Sequence, residues 1–423
     1  MRRSFILTAL PVAALIGQAA CGTPTEQEIA DDTALQRGHG GIGGHGGRSH
    51  SSSSSSSSGH TVASSSSSSS GAHTTSSSST SASSTSGAST SSGGATTGVT
   101  SSSSTSSSST TSSSSGTGSS SEGGLFQATN SWNTAVDADP ASASSAAITG
   151  WLAANGGWGD GTMRIDFSIN LLTASASTPL LPFTPNGNFY TPDCDQVPFP
   201  VPAVGAVEGE TGYTCTQGGD CHLLVVYPPT NKLYEMYSAS ISGSTFSGGC
   251  VAVWDLTRAY PANLRGDGCS SADAGGFPIS AMLFTADEVY AGEIPHAIRF
   301  ILPNARIRGG GVYVHPGTHT TSATSGAADA PPYGVRFRLR ADYPLASLPS
   351  AGAQVVARAM QKYGMFLADG GNIALTAAND VYTTHKWTDV AIDSNSLNGI
   401  LVTDMEVVDM GATVPTQDCV RNP

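Results

Sequence analysis

Four carboxylates stand at strand ends or among small residues: Glu235, Asp255, Asp273 and Asp369. Acid–base cleavage of a glycosidic bond needs two such groups. One is protonated and donates to the leaving oxygen; the other is ionised and acts as base or nucleophile. Asp273 and Asp369 are the best matched. Asp273 lies in Ser270-Ser271-Ala272-Asp273-Ala274-Gly275-Gly276, and Asp369 ends the apolar run 365–368 beside Gly370 and Gly371. Small neighbours let a ligand approach the backbone closely. The competing reading is a turn or a helix cap, where Asp is also favoured. Glu235, in Leu233-Tyr234-Glu235-Met236-Tyr237, competes with an outward-facing strand residue.

Five histidines lie beyond residue 124: His222, His296, His315, His319 and His385. His222 and His296 open apolar runs, so both are expected to line a cleft, with His319 beside them. There they can act as acid–base groups or hold a metal. The His315-Pro316-Gly317-Thr318-His319 spacing suits a metal site weakly, because Pro and Gly make it a loop. For each lone histidine a structural role competes. No cofactor is expected, with a metal at the histidine cluster left open. Tyr234 and Trp254 are candidates for stacking on sugar rings, against the usual fate of such residues in a core. Asp255 is a further candidate for substrate binding. GxSxG, HExxH and Walker-type motifs are absent, so serine hydrolase, zincin and nucleotide chemistry lack support.

Short strands must position these groups. Alternation over 164–172 predicts one strand, and 222–227 and 232–240 predict a hairpin across Pro228-Pro229-Thr230-Asn231. Residues 249–256, 297–302, 311–315, 335–341 and 365–368 add further strands, and 178–208 reads as a long ordered loop rich in Pro, Gly and Asn. Residues 142–155 and 350–363 are helical. In the second, Val355, Val356, Ala359, Met360 and Tyr363 form one apolar stripe that Gly364 stops. The expectation is a mainly β, single sandwich or jelly-roll-like domain with two peripheral helices.

That domain occupies residues 125–423. Residues 1–21 carry Arg2-Arg3, an apolar run too short to span a bilayer, and Ala19-Ala20-Cys21. They resemble a bacterial lipoprotein signal, with Cys21 as the lipid-bearing residue. Gln18 departs from the usual aliphatic residue, which leaves plain signal-peptide cleavage open. Residues 22–124 are dominated by Ser with Gly and Thr. They cannot bury enough apolar surface to offset chain entropy and are expected to be a disordered tether. The expected location is the cell surface, as an outer-membrane lipoprotein, or the extracellular space.

The formal net charge is −13. Leader and tether hold four of the 18 basic and five of the 31 acidic residues, which leaves 14 and 26 in the domain, net −12. That balance argues against nucleic acid and anionic membranes. A monomer acting on polysaccharide is expected. Apart from Cys21 there are six cysteines, an even number that suits disulfides in an exported protein. Cys250–Cys269 and Cys215–Cys221 are the expected pairs. Zinc thiolates are the alternative, without a CxxC to support them.

Several stretches carry a resemblance: His222-Leu-Leu-Val-Val226, Leu233-Tyr-Glu235, Trp254-Asp-Leu256, 271–279 (SADAGGFPI preceded by Ser270), His296-Ala-Ile-Arg-Phe300, and 362–370 (KYGMFLADG). Together they resemble a widespread group of secreted bacterial and fungal proteins, some of which carry carbohydrate-binding modules. The resemblance implies polysaccharide as a substrate class and carries no catalytic assignment. Here Gly370 replaces the family's Asn, and Thr318-His319 replaces Arg-His. The expected activity is glycoside hydrolysis, with Asp273, Asp369 and Glu235 as the acid–base set. A polysaccharide lyase is the alternative, with His222 or His296 as base and Arg299 neutralising a uronate. A non-catalytic glycan-binding surface protein is the third reading.

Overall fold

The computed structural model describes residues 124–423. The expected leader (1–21) and nearly all of the tether (22–124), including Cys21, lie outside the described residues. Among the described residues the chain is mainly β, with 17 strands in several sheets and three helices.

The run 164–172 divides at Asn170. Its first part, β1 (Ile165–Ile169), joins a six-stranded sheet, and β2 (Leu171–Thr173) joins a four-stranded one. The Asn170 side chain donates to the Val207 carbonyl at this corner. The four-stranded sheet runs β10 (Val251–Asp255), β7 (Lys232–Met236), β6 (Leu223–Tyr227), β2. Its β6–β7 hairpin turns through Pro228–Thr230 with Asn231 left-handed at φ 52°, a conformation Asn tolerates. The six-stranded sheet is ordered β1, β15 (Leu375–Ala378), β11 (Ile298–Leu302), β14 (Met365–Gly370), β13 (Arg336–Leu339), β16 (Met405–Val407). It is mixed: β1/β15 and β11/β14 run parallel, β13/β14 antiparallel.

Alternation along β14 explains the layering. Met365 and Leu367 pack with Val355, Val356, Ala359 and Met360 of α3 (Ala351–Lys362) and with Ile148 and Leu152 of α1 (Ser145–Ala154). Phe366 and Ala368 face the other way, onto Leu233, Ala252 and Trp254 of the four-stranded sheet. The two sheets therefore sandwich one core, with helices behind the larger sheet. The outer face of the smaller sheet, including Leu223, Val225 and Met236, is covered by Phe199, Val201 and Phe246. Those side chains come from the Pro-rich stretch and the short strand β9 (Thr245–Gly248).

Helices α1 and α3 correspond to the two expected. Helix α2 (Ala286–Ala291) is additional; Thr285 and Glu288 form a reciprocal capping box at its start. The disulfides are Cys194–Cys250, Cys215–Cys221 and Cys269–Cys419. The expected Cys215–Cys221 pair is present. The expected Cys250–Cys269 pair is not: the two cysteines are bound to different segments, so the site loop is tied outward to the chain's C-terminal tail instead of closed on itself. Oxidised pairs also displace the zinc-thiolate alternative. Glu210 lies beside Cys215 and Cys221, but those sulfurs are bonded to each other. Three disulfides are compatible with an extracellular protein, and among the described residues no helix is long and apolar enough to cross a membrane.

Candidate active site

A cavity of about 600 Å³, within the usual range of ligand sites, is lined by residues of the six-stranded sheet and of loops beside the four-stranded one. Its wall includes Asp166, Glu208, His222, Asp273, Arg299 and Asp369. Five separate segments contribute these residues. Arg299, on β11, points away from Ile298 and Phe300, which face the helices. Asp369 reaches the same side through a β-bulge: Phe300 pairs with Leu367, but the next residue, Ile301, pairs with Asp369. Ala368 is the inserted residue, so Ala368 and Asp369 lie consecutively on the inter-sheet side. Regular alternation would have turned Asp369 toward the helices with Leu367.

Asp273 comes from the loop between β10 and α2. Its backbone N–H donates to Ser271 Oγ, which itself donates to the Phe277 carbonyl at 2.6 Å. Gly275 N–H donates to the Ala368 carbonyl, and Gly276 N–H to the Asp273 carbonyl. Gly276 has φ +82°, and a Cβ there would lie 2.0 Å from Thr318 Oγ1. A Cβ at Gly275 would lie 2.8 Å from the Ala368 carbonyl of β14, so the two glycines let the loop lie between that strand and Thr318.

Arg299 organises the centre. Nε and Nη2 donate to the two oxygens of Asp273 at 3.2 and 2.9 Å, and Nη2 also donates to Asp369 Oδ2 at 2.9 Å. Nη1 donates to Thr376 Oγ1. The Asp273 side chain is 0% exposed and that of Asp369 is 23% exposed. Burial raises the Asp273 pKa well above the ordinary value; Arg299 opposes this, and the neighbouring Asp369 carboxylate adds to it. Burial opposes the charge on Arg299, but Asp273 and Asp369 outweigh it and hold the guanidinium charged. Asp369 is thus the member of the group that meets the cavity, with Asp273 behind it.

A second cluster lies nearby. His222 Nδ1 is 2.6 Å from Glu208 Oε2, and Nε2 is 3.0 Å from the Ala272 carbonyl. Burial disfavours the imidazolium, but the Glu208 carboxylate outweighs burial and lifts the His222 pKa to about 9. At neutral pH both ring nitrogens carry protons and donate. Burial favours the neutral acid of Glu208, yet His222 holds its pKa below the ordinary range. Ser168 Oγ then links Glu208 Oε1 (3.0 Å) to Asp166 Oδ2 (2.9 Å).

The remaining sequence candidates lie elsewhere. Glu235 is fully buried between the sheets and accepts from Trp254 Nε1, Ile279 N–H, and the N–H and hydroxyl of Ser280. Burial raises its pKa, and those four donors pull the other way. Its place is to staple the loop after Asp273 to β7. Trp254 is wholly buried beside it, and Tyr234 packs against Phe199 and Tyr227 on the far face of the same sheet. Asp255 pairs with Lys232 at 2.7 Å and caps Thr257. His296 is buried between Glu288 and the Ala297 carbonyl. His315 pairs with Asp267, whereas His319 Nδ1 donates to the Ala274 carbonyl, so the two do not converge on a common point. Of the ten candidates, the cavity wall gathers Asp273, Asp369, Arg299 and His222.

Asp166 and Glu208 were not among the candidates. Asp166 lies in a strand whose alternation reads as an exposed polar position, and Glu208 in a loop without a motif. Only the Gly after Glu208 hinted at a close approach.

No family model matches this chain, and neither a curated protein nor a solved structure does.

Proposed function

We propose that this protein is an exported glycoside hydrolase, held at the cell surface through Cys21 and the Ser-rich stretch, that cleaves polysaccharide. The observation that carries the reading is Asp369. It is a carboxylate presented to a ligand-sized cavity by a bulge, oriented by a buried arginine and backed by a second carboxyl, Asp273. That is how a base or nucleophile is held when its geometry matters. The resemblance to secreted proteins with carbohydrate-binding modules points the same way.

Elimination fits these residues less well. A lyase needs a free base and a cation facing the uronate. His222 has both ring nitrogens engaged as donors, and Arg299 spends its donors on Asp273, Asp369 and Thr376. Incubation with cellulose, chitosan, xylan, mannan and polygalacturonate distinguishes the readings. Hydrolysis releases reducing ends without unsaturated sugars. Unsaturated products would establish a lyase, and retention on a glycan without cleavage would establish a binding protein.

A further inference from the structure

We infer that Asp166 is the second catalytic carboxyl of this site, the proton donor that faces Asp369 across the cleft of an inverting hydrolase. This rests on the hydrolase reading above.

Asp273 cannot fill that role. Its carboxyl bonds to the same Nη2 as Asp369 and is sealed from solvent, so it lies beside Asp369 and not on the opposite side of a sugar ring. Asp166 has the required placement. It lines the cavity and is partly exposed. It pairs with Thr376 of β15, and Thr376 accepts from Arg299 on the next strand. Asp369 is one strand further. Three strand spacings amount to about 14 Å between the main chains, and Asp369 reaches inward to Arg299 while Asp166 is held by Ser168. This exceeds the separation of roughly 5 Å used in double displacement and suits the wider gap of roughly 6.5–9.5 Å that admits a water.

The hydrogen bonding supplies the proton. Ser168 has one hydroxyl hydrogen, yet its oxygen lies within bonding distance of two carboxyls, Asp166 Oδ2 and Glu208 Oε1. Both contacts are satisfied when Ser168 donates to Glu208 and Asp166 carries a proton donated to Ser168. Glu208 is fixed as the anion by His222. The charged groups facing Asp166 are Glu208 from the loop before β6 and Arg299 from β11; burial and Glu208 raise its pKa and outweigh the hydrogen bonds that the Ser168 hydroxyl and N–H offer its anion and the more distant Arg299, which oppose.

The step balances. A water attacks the anomeric carbon and gives a proton to Asp369 as the glycosidic C–O bond breaks. Asp166 gives its proton to the leaving oxygen. The products are a sugar of inverted configuration and an alcohol, and solvent returns one proton from Asp369 to Asp166.

The test uses whichever glycan of the panel the wild type cleaves. NMR of the first product should show inversion. Asp166→Asn should lower kcat by about 10²–10⁴-fold on the polysaccharide with KM little changed. It should cleave a dinitrophenyl oligosaccharide of the same sugar nearly normally, because that leaving group needs no proton. In Glu208→Gln, which removes a neighbouring negative charge, the alkaline limb of the kcat profile should move to lower pH. Retention of configuration, an equal loss on both leaving groups, or an unmoved alkaline limb would overturn the assignment while leaving the hydrolase reading intact. A wild type that cleaves no glycan would overturn both.

Discussion

Asp273 and Asp369 share one guanidinium nitrogen but differ in what surrounds them, and substitution separates their roles. Asp273→Asn leaves Arg299 with its buried bidentate partner neutralised. Breaking such a pair costs about 3–5 kcal/mol, so melting temperature and activity should fall together in thermal unfolding and rate assays. Asp369→Asn removes a partly solvated partner and leaves Asp273 in place. Activity should fall by about 10²–10⁴-fold while the melting temperature drops less. Equal destabilisation by the two would argue against this division. His222 gives a second prediction at this scale. Its pKa rises from 6.5 to about 9 on folding. The stability it contributes is therefore complete below pH 6.5 and is lost as pH rises through about 9, on the order of 3 kcal/mol. Thermal melts across that window should show the decline, and His222→Gln should flatten it. An unchanged slope would contradict the ion pair. Small neighbours around Asp273 and Asp369 made both legible in the sequence. Asp166 and Glu208 were not, because neither strand alternation nor loop composition records which segments meet across a cavity.

The loop 256–283 is the element on which the site depends, and it is held from several sides. Ser270 N–H donates to Asp193 Oδ2, and Glu235 anchors Ile279 and Ser280. The C-terminal tail closes over it. In the tail, β17 (Val414–Pro415) pairs with β12 (Val312–Tyr313), Cys419 bonds Cys269, and Asn422 Nδ2 donates to Asn263 Oδ1 at 2.8 Å. Gly266 permits this approach, since a Cβ there would lie 1.9 Å from the Val420 carbonyl. Cys419→Ser opens a cross-link between residues 150 apart. Losing a native bridge costs about 2–5 kcal/mol, so a lower melting temperature and a reduced kcat are expected in calorimetry and kinetics. Unchanged values would mean the tail is not part of the site's support. Strand and helix positions were largely legible from periodicity, including the β6–β7 hairpin and the α3 stripe. The pairing of Cys269 was not, because the sequence does not show that a tail 150 residues away returns to this loop. Glu235 likewise reads as a surface strand residue or a site acid, because its four donors come from three distant positions.

At the scale of the molecule, two sheets of unequal size enclose one core, and the cavity is lined by strand residues of the larger sheet and by the loops that carry Glu208, His222 and Asp273. The switch of one chain run between sheets at Asn170 brings Asp166 on β1 close to Glu208 and His222 beside β6. A mainly β sandwich followed from short alternating runs and frequent turn residues. The mixed order of the larger sheet did not, since parallel and antiparallel neighbours present the same alternation. The N-terminal edge is fixed by Arg336, which donates to the Ser131 and Thr134 carbonyls, and by Arg338, which donates to the Asp139 carbonyl. Residues 131–139 are thereby tied to the six-stranded sheet. Hydrolysis, the central claim for this body, has an isotopic signature that neither elimination nor binding shares. Polysaccharide digested in oxygen-18 water and analysed by mass spectrometry should gain one heavy oxygen per bond cut, at the anomeric carbon of each new reducing end, and Asp369→Asn should abolish the gain. Products that carry no heavy oxygen, or an Asp369→Asn protein that labels as fast as the wild type, would contradict it.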